Sequence, residues 1–342
     1  MSTSSNRAGD SFTPAWWVPG PHLQTMWGRL TRPRRQVPMR REVVATQDGD
    51  TLVLDHLDGP SGAPRLLLVH GLEGSSYSVY VQGMLSIAAR RGWRGTALNF
   101  RSCARDPQKL GRMLPNARPR LYHSGETTDL DFIVATLCSR EPATPLFVAG
   151  VSLGGNVLLK WLGENPGQRR VAAAAAVSTP YDLAAGSRYL ETWIGLFYCE
   201  KFLKTLRPKA CDVARRFPEA TARLDLERVR RSRTFWEFDD AATGPLHGFA
   251  GAEDYYARSS SLNFLDRITT PTLCISAEDD AFLPPSVLPQ ARRRASPSID
   301  FRTTAKGGHI GFIGGTGPWR PVYWAEELAV GWLAQRLDPA AG

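Results

Sequence analysis

The string Gly150-Val151-Ser152-Leu153-Gly154 sets a serine between glycines where an apolar run (146–149) leads in and a helix-forming run (153–163) leads out. A serine on such a strand-to-helix turn has a strained backbone, so its neighbours must be small. The helix N-terminus behind it favours a developing negative charge. That is the setting of a nucleophile, although a glycine-rich turn whose serine only caps a helix is written in the same letters. A nucleophilic hydroxyl needs a base, and the base needs an orienting acid. On this kind of turn the partners follow in the order Ser, Asp or Glu, His. Two histidines lie downstream of Ser152. His309 sits in Lys306-Gly307-Gly308-His309-Ile310-Gly311, a loop flexible enough to turn the imidazole toward Ser152, whereas His247 (Pro245-Leu246-His247-Gly248) reads as structural. For the acid, Glu278, Asp279 and Asp280 compete in one loop ending at Pro284. Counting back from that proline in the pattern D-x-x-apolar-P selects Asp280, with Asp279 as runner-up.

An acyl-transfer site also needs two backbone N–H groups aimed at the tetrahedral oxyanion. One is expected from Leu153, directly after the nucleophile. The other is expected from Leu72 in His70-Gly71-Leu72-Glu73-Gly74, where Gly71 lets the backbone come close. His70 precedes Ser152 in the chain and is read as bracing that loop rather than as the base.

These residues must be held by alternating elements. Residues 43–45 and 52–54 read as an opening strand pair around the turn Asp48-Gly49-Asp50. Strands follow at 66–69, 95–100, 146–149 and 171–177, with helices at 77–91, 124–140 and 153–163. Ser124 is the expected cap of the second helix, with Glu126 and Asp129 in its first turn. From 181 to 266 the pattern turns helical, aromatic and Arg-rich, with no strand. Strand, helix, strand and helix then resume at 272–276, 285–294, 298–303 and 322–337. Repeated strand–helix–strand units predict an α/β fold with a mostly parallel central sheet and helices on both faces. The expected organisation is an irregular segment 1–40 packed on the body, a core of 41–180 and 267–342, and an inserted helical cap, 181–266. Five prolines in residues 1–40 argue against a long helix there.

Composition narrows the class. The chain has 342 residues, 42% hydrophobic and 22% charged, enough for a large core and too apolar for wholesale disorder. Its longest run of small apolar residues, Val171 to Val177, is far short of the ~20 residues of a membrane span. Five scattered cysteines without a C-x-x-C pair argue against a disulfide framework or a zinc knuckle. With no apolar leader at the N-terminus, the expected location is cytoplasmic. The net charge of +9 comes without a recognition helix, zinc finger or RNP-like strand, so no nucleic-acid partner is expected. Basic clusters such as 215–233 leave open a peripheral contact with an anionic membrane surface.

The motifs resemble those of the AB hydrolase 4 family, the YheT-like α/β-hydrolases. The resemblance runs from Pro19-Gly20-Pro21-His22-Leu23-Gln24-Thr25 to Gly308-His309-Ile310-Gly311-Phe312. Between them lie Val69-His70-Gly71-Leu72-Glu73-Gly74, Tyr122–Thr127, the Ser152 string, Glu237–Asp240 and Asp254-Tyr255-Tyr256. It implies the α/β-hydrolase fold, a triad of Ser152, Asp280 and His309, carboxylic-ester hydrolysis on small-molecule esters or acylglycerol lipids, and no metal or organic cofactor. One departure stands out: where relatives show an Arg-Gly-Cys turn, this chain has Arg101-Ser102-Cys103-Ala104. It bears on a loop near the site and on substrate preference more than on the chemistry. The expected activity is therefore a serine carboxylesterase for short- or medium-chain esters or monoacylglycerols. An acyltransferase using the same triad is the alternative, and a non-catalytic binding protein on the same fold is a remoter one.

Overall fold

The apolar runs of the sequence pair into a single sheet in the computed structural model, which describes residues 11–337. The strands are β1 (Arg40–Ala45), β2 (Thr51–Leu57), β3 (Arg65–Val69), β4 (Arg94–Asn99), β5 (Leu146–Val151), β6 (Ala173–Val177), β7 (Thr272–Ala277) and β8 (Ile299–Thr304). They lie in the order β1-β2-β4-β3-β5-β6-β7-β8. β1 with β2 and β2 with β4 are antiparallel, and every later pairing is parallel. Strands covered on both faces must be apolar at consecutive positions. β3 does this with Leu66 and Leu68 in one core layer and Leu67 and Val69 in the other. β6 divides its alanines between the same two layers.

Two layers of helices cover the sheet. On one face lie α2 (Val79–Arg90) and the C-terminal helix Trp324–Ala334, and on the other α3 (Thr128–Arg140) and α4 (Leu153–Glu164). A twelve-residue helix, α1 (Gly20–Thr31), stands where an irregular segment was expected. Its prolines mark its limits instead of preventing it. Pro19 is the N-cap and Pro21 falls in the first turn, where a missing N–H breaks no helical bond, and Pro33 follows the C-cap Arg32. α3 is also shorter than expected. It starts at Thr128, and the Glu126 side chain accepts the Thr128 N–H at 2.9 Å, while the Ser124 N–H donates to the Tyr255 hydroxyl. Ser124 is therefore not the cap.

Between β6 and β7 the chain makes α5 (Leu183–Tyr189), α6 (Trp193–Arg216) and several short helical turns, with no strand among the described residues. Along α6, Cys199, Leu203, Leu206, Ala210 and Val213 form a buried stripe at helical spacing. The stripe packs with Leu224, Val229 and Phe238 into an apolar cluster separate from the two layers of the sheet. A two-residue pairing of Ile313–Gly314 with Val322–Tyr323 was not foreseen. No helix among the described residues is long and apolar enough to cross a membrane.

Candidate active site

Ser152 joins β5 to α4 with φ +54° and ψ −122°, in the left-handed half of backbone space that a serine avoids. Such a conformation persists only where its surroundings over-determine it. Here the Ser152 N–H donates to the Val177 carbonyl on β6 at 2.8 Å, and its carbonyl accepts from Gly155 and Asn156. The two arms of the turn touch. A Cβ at Gly150 would run into the Gly154 carbonyl, and one at Gly154 would run into the Val69 carbonyl of β3.

His309 Nε2 is 2.9 Å from Ser152 Oγ, and His309 Nδ1 is 2.8 and 3.0 Å from the two carboxylate oxygens of Asp280. Both His309 and Asp280 are buried. With Nδ1–H donating to Asp280, Nε2 is free to accept the serine proton. The Phe282 N–H donates to Asp280 Oδ1 at 2.8 Å, which fixes the carboxylate plane. The Phe282 ring stacks on the imidazole, with centroids 4.2 Å apart.

The neighbouring carboxylate has a different task. Asp279 Oδ1 accepts the Gly308 N–H at 2.8 Å, and so holds the loop rather than the imidazole. That loop is bent hard, with φ +60° at Gly308, +68° at Ile310 and +44° at Phe312. It is tied at two further points: the His309 N–H donates to Thr25 Oγ1 and the Ile310 N–H donates to Ser178 Oγ, both at 2.9 Å. The adjacent Gln24 is buried, accepts the Ile313 N–H at 2.7 Å and donates to the carbonyls of Val18 and Ile313. Sequence reasoning gave Gln24 and Thr25 no task. The string around them was visible only as part of a resemblance.

The loop after β3 lies against Ser152, since a Cβ on Gly71 would sit 3.1 Å from Ser152 Cβ. The Gly71 N–H donates to the Tyr80 hydroxyl at 2.8 Å, and the Glu73 N–H donates to the Tyr122 hydroxyl at 2.7 Å. Leu72 stands between these two anchored amides and lines the same cavity as Ser152 and Leu153. His70 donates from Nδ1 to the Gly71 carbonyl (2.7 Å) and accepts the Phe100 N–H at Nε2 (3.1 Å). Burial holds it neutral, with its pKa down to about 4. It braces the loop. From α6, Lys209 reaches down to pair with Glu73 Oε1 at 2.6 Å, a tie that the sequence gave no sign of. His247 is not brought to Ser152. Its ring nitrogens lie 2.8 Å from the carbonyls of Thr243 and Leu121.

The Arg101-Ser102-Cys103 turn keeps the backbone that a glycine would favour. Ser102 takes φ +60°, and its hydroxyl donates to the Asn116 side-chain oxygen. Cys103 is buried beside Lys209, and burial pushes its thiol up to about 11. Above Ser152 and His309 opens a cavity of about 340 Å³, walled by Phe202, Phe235, Phe238 and Leu206 from the helical stretch between β6 and β7. Among the described residues no group of three His, Cys, Asp or Glu side chains is placed to hold a metal ion.

The sequence profile of a family described as alpha/beta hydrolase fold matches residues 64–316. YheT of Escherichia coli (strain K12), which bears an esterase name, is 35% identical over 98% of this chain and 97% of its own length. Phospholipase ABHD3 of Mus musculus is 29% identical over 92% of this chain and 76% of its own. The esterase Pf2001 of Pyrococcus furiosus superposes with a TM-score of 0.57 at 16% identity, covering 90% of this chain and 92% of that one, and speaks for the fold alone. The chain belongs to the α/β-hydrolase fold family and, within it, to the YheT-like esterases.

Proposed function

We propose that this protein is a serine carboxylesterase for short- to medium-chain carboxylic esters, monoacylglycerols among them. The observation that carries the reading is the continuous hydrogen-bonded line from Ser152 Oγ through His309 to Asp280, opening on a largely apolar cavity. Ser152 Oγ attacks the ester carbonyl while His309 Nε2 takes its proton. Asp280 keeps the proton of Nδ1 in place and stabilises the imidazolium. The amides of Leu72 and Leu153 receive the oxyanion. His309 then hands its proton to the departing alcohol, leaving an acyl-enzyme, and a water activated by the same imidazole releases the acid and restores Ser152.

The aromatic and leucine side chains above the nucleophile support an acyl site. Burying each CH₂ is worth roughly 0.8 kcal/mol, so kcat/KM should rise over several carbons until the cavity is full. Trp193 and Phe197 stand exposed at the start of α6, with Lys201 over the Phe197 ring, a combination suited to an anionic lipid surface. The test is a p-nitrophenyl ester series from acetate to palmitate, read as kcat/KM. An optimum beyond acetate is expected. A monotonic fall from acetate removes the acyl site, and a preference for amides removes the esterase reading. An added alcohol that diverts most of the acyl group from water would favour the transferase instead.

A further inference from the structure

The string Glu237–Asp240 has no part in the mechanism above, yet its second half reaches the same cavity. Asp240 is accounted for by structure, because it accepts the Ala252 N–H at 3.0 Å and pairs with Arg228 at 2.7 Å. Asp239 is not. It opens the π-helical turn Asp239–Thr243 and lines the cavity that holds Ser152 and His309. Turns of this kind are frequent at functional sites.

Its carboxylate is held by two hydroxyls, Thr243 Oγ1 at 2.5 Å on Oδ1 and Tyr256 OH at 2.6 Å on Oδ2. Each oxygen keeps a second lone pair. Ser187 Oγ stands 3.3 Å from the Tyr256 hydroxyl, and Ser187, Thr243 and Tyr256 all line the cavity. The residue keeps some accessible surface and lines the cavity, and burial pushes the carboxyl up to about 6. No lysine or arginine among the described residues compensates it. A carboxylate that two hydroxyls already hold, with no cation paired to it, gains from a further donor placed in the cavity.

We infer that Asp239 is a specificity-determining residue that accepts a hydrogen bond from a free hydroxyl of the substrate, so that the enzyme selects esters carrying such a hydroxyl over plain alkyl esters. A hydroxyl suits the place better than a cation. The cavity is also lined by Arg29, Arg105, Lys201 and Lys209, which disfavour a second positive charge, whereas a neutral hydroxyl both donates to Asp239 and accepts from its neighbours. Sites built to bond a substrate hydroxyl discriminate strongly against analogues that lack it, because the buried partner is then left unpaired. The hydroxyl has two possible sources, the alcohol half of the ester or the far end of the acyl chain.

The inference rests on the esterase reading, and matched esters separate the two. Propyl hexanoate, monohexanoylglycerol and propyl 6-hydroxyhexanoate share one acyl length and differ in where the hydroxyl lies. Wild type is expected to hydrolyse one of the hydroxylated esters with kcat/KM about 10- to 100-fold above propyl hexanoate, the range of a hydrogen bond to a charged group. Asp239→Asn should bring that ratio to within about threefold, while Tyr256→Phe, which leaves the carboxylate in the cavity, should retain it. Turnover of all three esters without preference overturns the assignment even if Asp239→Asn does not fold. A preference that survives in Asp239→Asn also overturns it, as does a stronger Asp239-dependent preference for hexanoylcholine, which would make the site one for a cation. Failure to hydrolyse any of the esters would instead strike the esterase reading.

Discussion

Exchanging each of two adjacent aspartates for asparagine separates orienting an imidazole from holding a loop. In Asp280→Asn the Phe282 N–H, 2.8 Å from Oδ1, selects the amide oxygen for that position. The NH₂ group then takes the place of Oδ2, 2.8 Å from His309 Nδ1. An N–H facing Nδ1 favours the tautomer in which the ring proton sits on Nε2. That nitrogen, 2.9 Å from Ser152 Oγ, can then no longer accept the serine proton. Loss of the correct tautomer in such triads costs about 10⁴-fold in kcat, or roughly 5.5 kcal/mol of barrier. In Asp279→Asn the amide oxygen still accepts the Gly308 N–H, so the main loss is the charge assistance of its backbone hydrogen bonds. That corresponds to a fall of at most about tenfold. The assay is kcat for p-nitrophenyl butyrate together with the rate of fluorophosphonate labelling, with thermal unfolding to confirm that both variants fold. Equal losses, or a larger loss in Asp279→Asn, would refute the division of labour argued here.

Ser152→Ala should abolish fluorophosphonate labelling and lower turnover by orders of magnitude with the fold intact, and labelling that persists would put the nucleophile elsewhere. Thr25→Val removes the acceptor of the buried His309 N–H, a loss of about 1–3 kcal/mol that falls on the loop carrying the imidazole. A 10- to 100-fold drop in kcat is therefore expected, and wild-type kcat would show that α1 does not position His309. Lys209→Met strips the cation from Glu73, whose side chain is only 6% exposed, and should lower stability by roughly 3–5 kcal/mol in urea unfolding. The double variant Lys209→Met/Glu73→Gln should recover part of that, and a single variant as stable as wild type would show that the tie carries no weight.

How legible each residue of the candidate site was depended on whether the letters beside it mark it, because Ser152 meets His309 across 157 residues. Ser152 was readable because it directly follows an apolar run with glycines fixing the turn, Asp280 because Pro284 marks the acid loop, and His309 because it is one of two downstream histidines and sits among glycines. The central strands were readable for a different reason, since a segment buried on both faces, such as β3 or β6, is apolar at nearly every position. α1 was missed because five prolines were counted without weighing their positions, and two of them sit where a helix begins. Thr25, Gln24 and Lys209 were missed for another reason. Thr25 meets His309 across 284 residues and Lys209 meets Glu73 across 136, and nothing local in a threonine or a lysine announces such a partner. The glycine missing from the Arg101 turn was noticed, but not that Ser102 would hold the left-handed backbone by donating to Asn116.

The backbone strain of the molecule shows why those distant ties are needed. The non-glycine residues with positive φ among the described residues are Glu73, Ser102, Ser152, Ser178, Ile310 and Phe312. Most of them belong to the site or touch it directly. Ser152 carries the hydroxyl, Glu73 follows the amide of Leu72, and Ser178 holds the loop on which Ile310 and Phe312 flank His309. Ser102 lies one step further out, next to the Cys103 whose sulfur is 3.5 Å from Lys209, the partner of Glu73. Each such residue costs on the order of 1–3 kcal/mol and survives only where its surroundings fix it. A parallel sheet buried on both faces supplies that rigidity at the ends of β3, β5, β6 and β7. The side chains reaching in from α1 and α6 supply it where the sheet does not extend. The hydrogen bond of Thr25 and the ion pair of Lys209 are thus two such ties, one on the loop of His309 and one on the loop of Glu73, and both loops border Ser152.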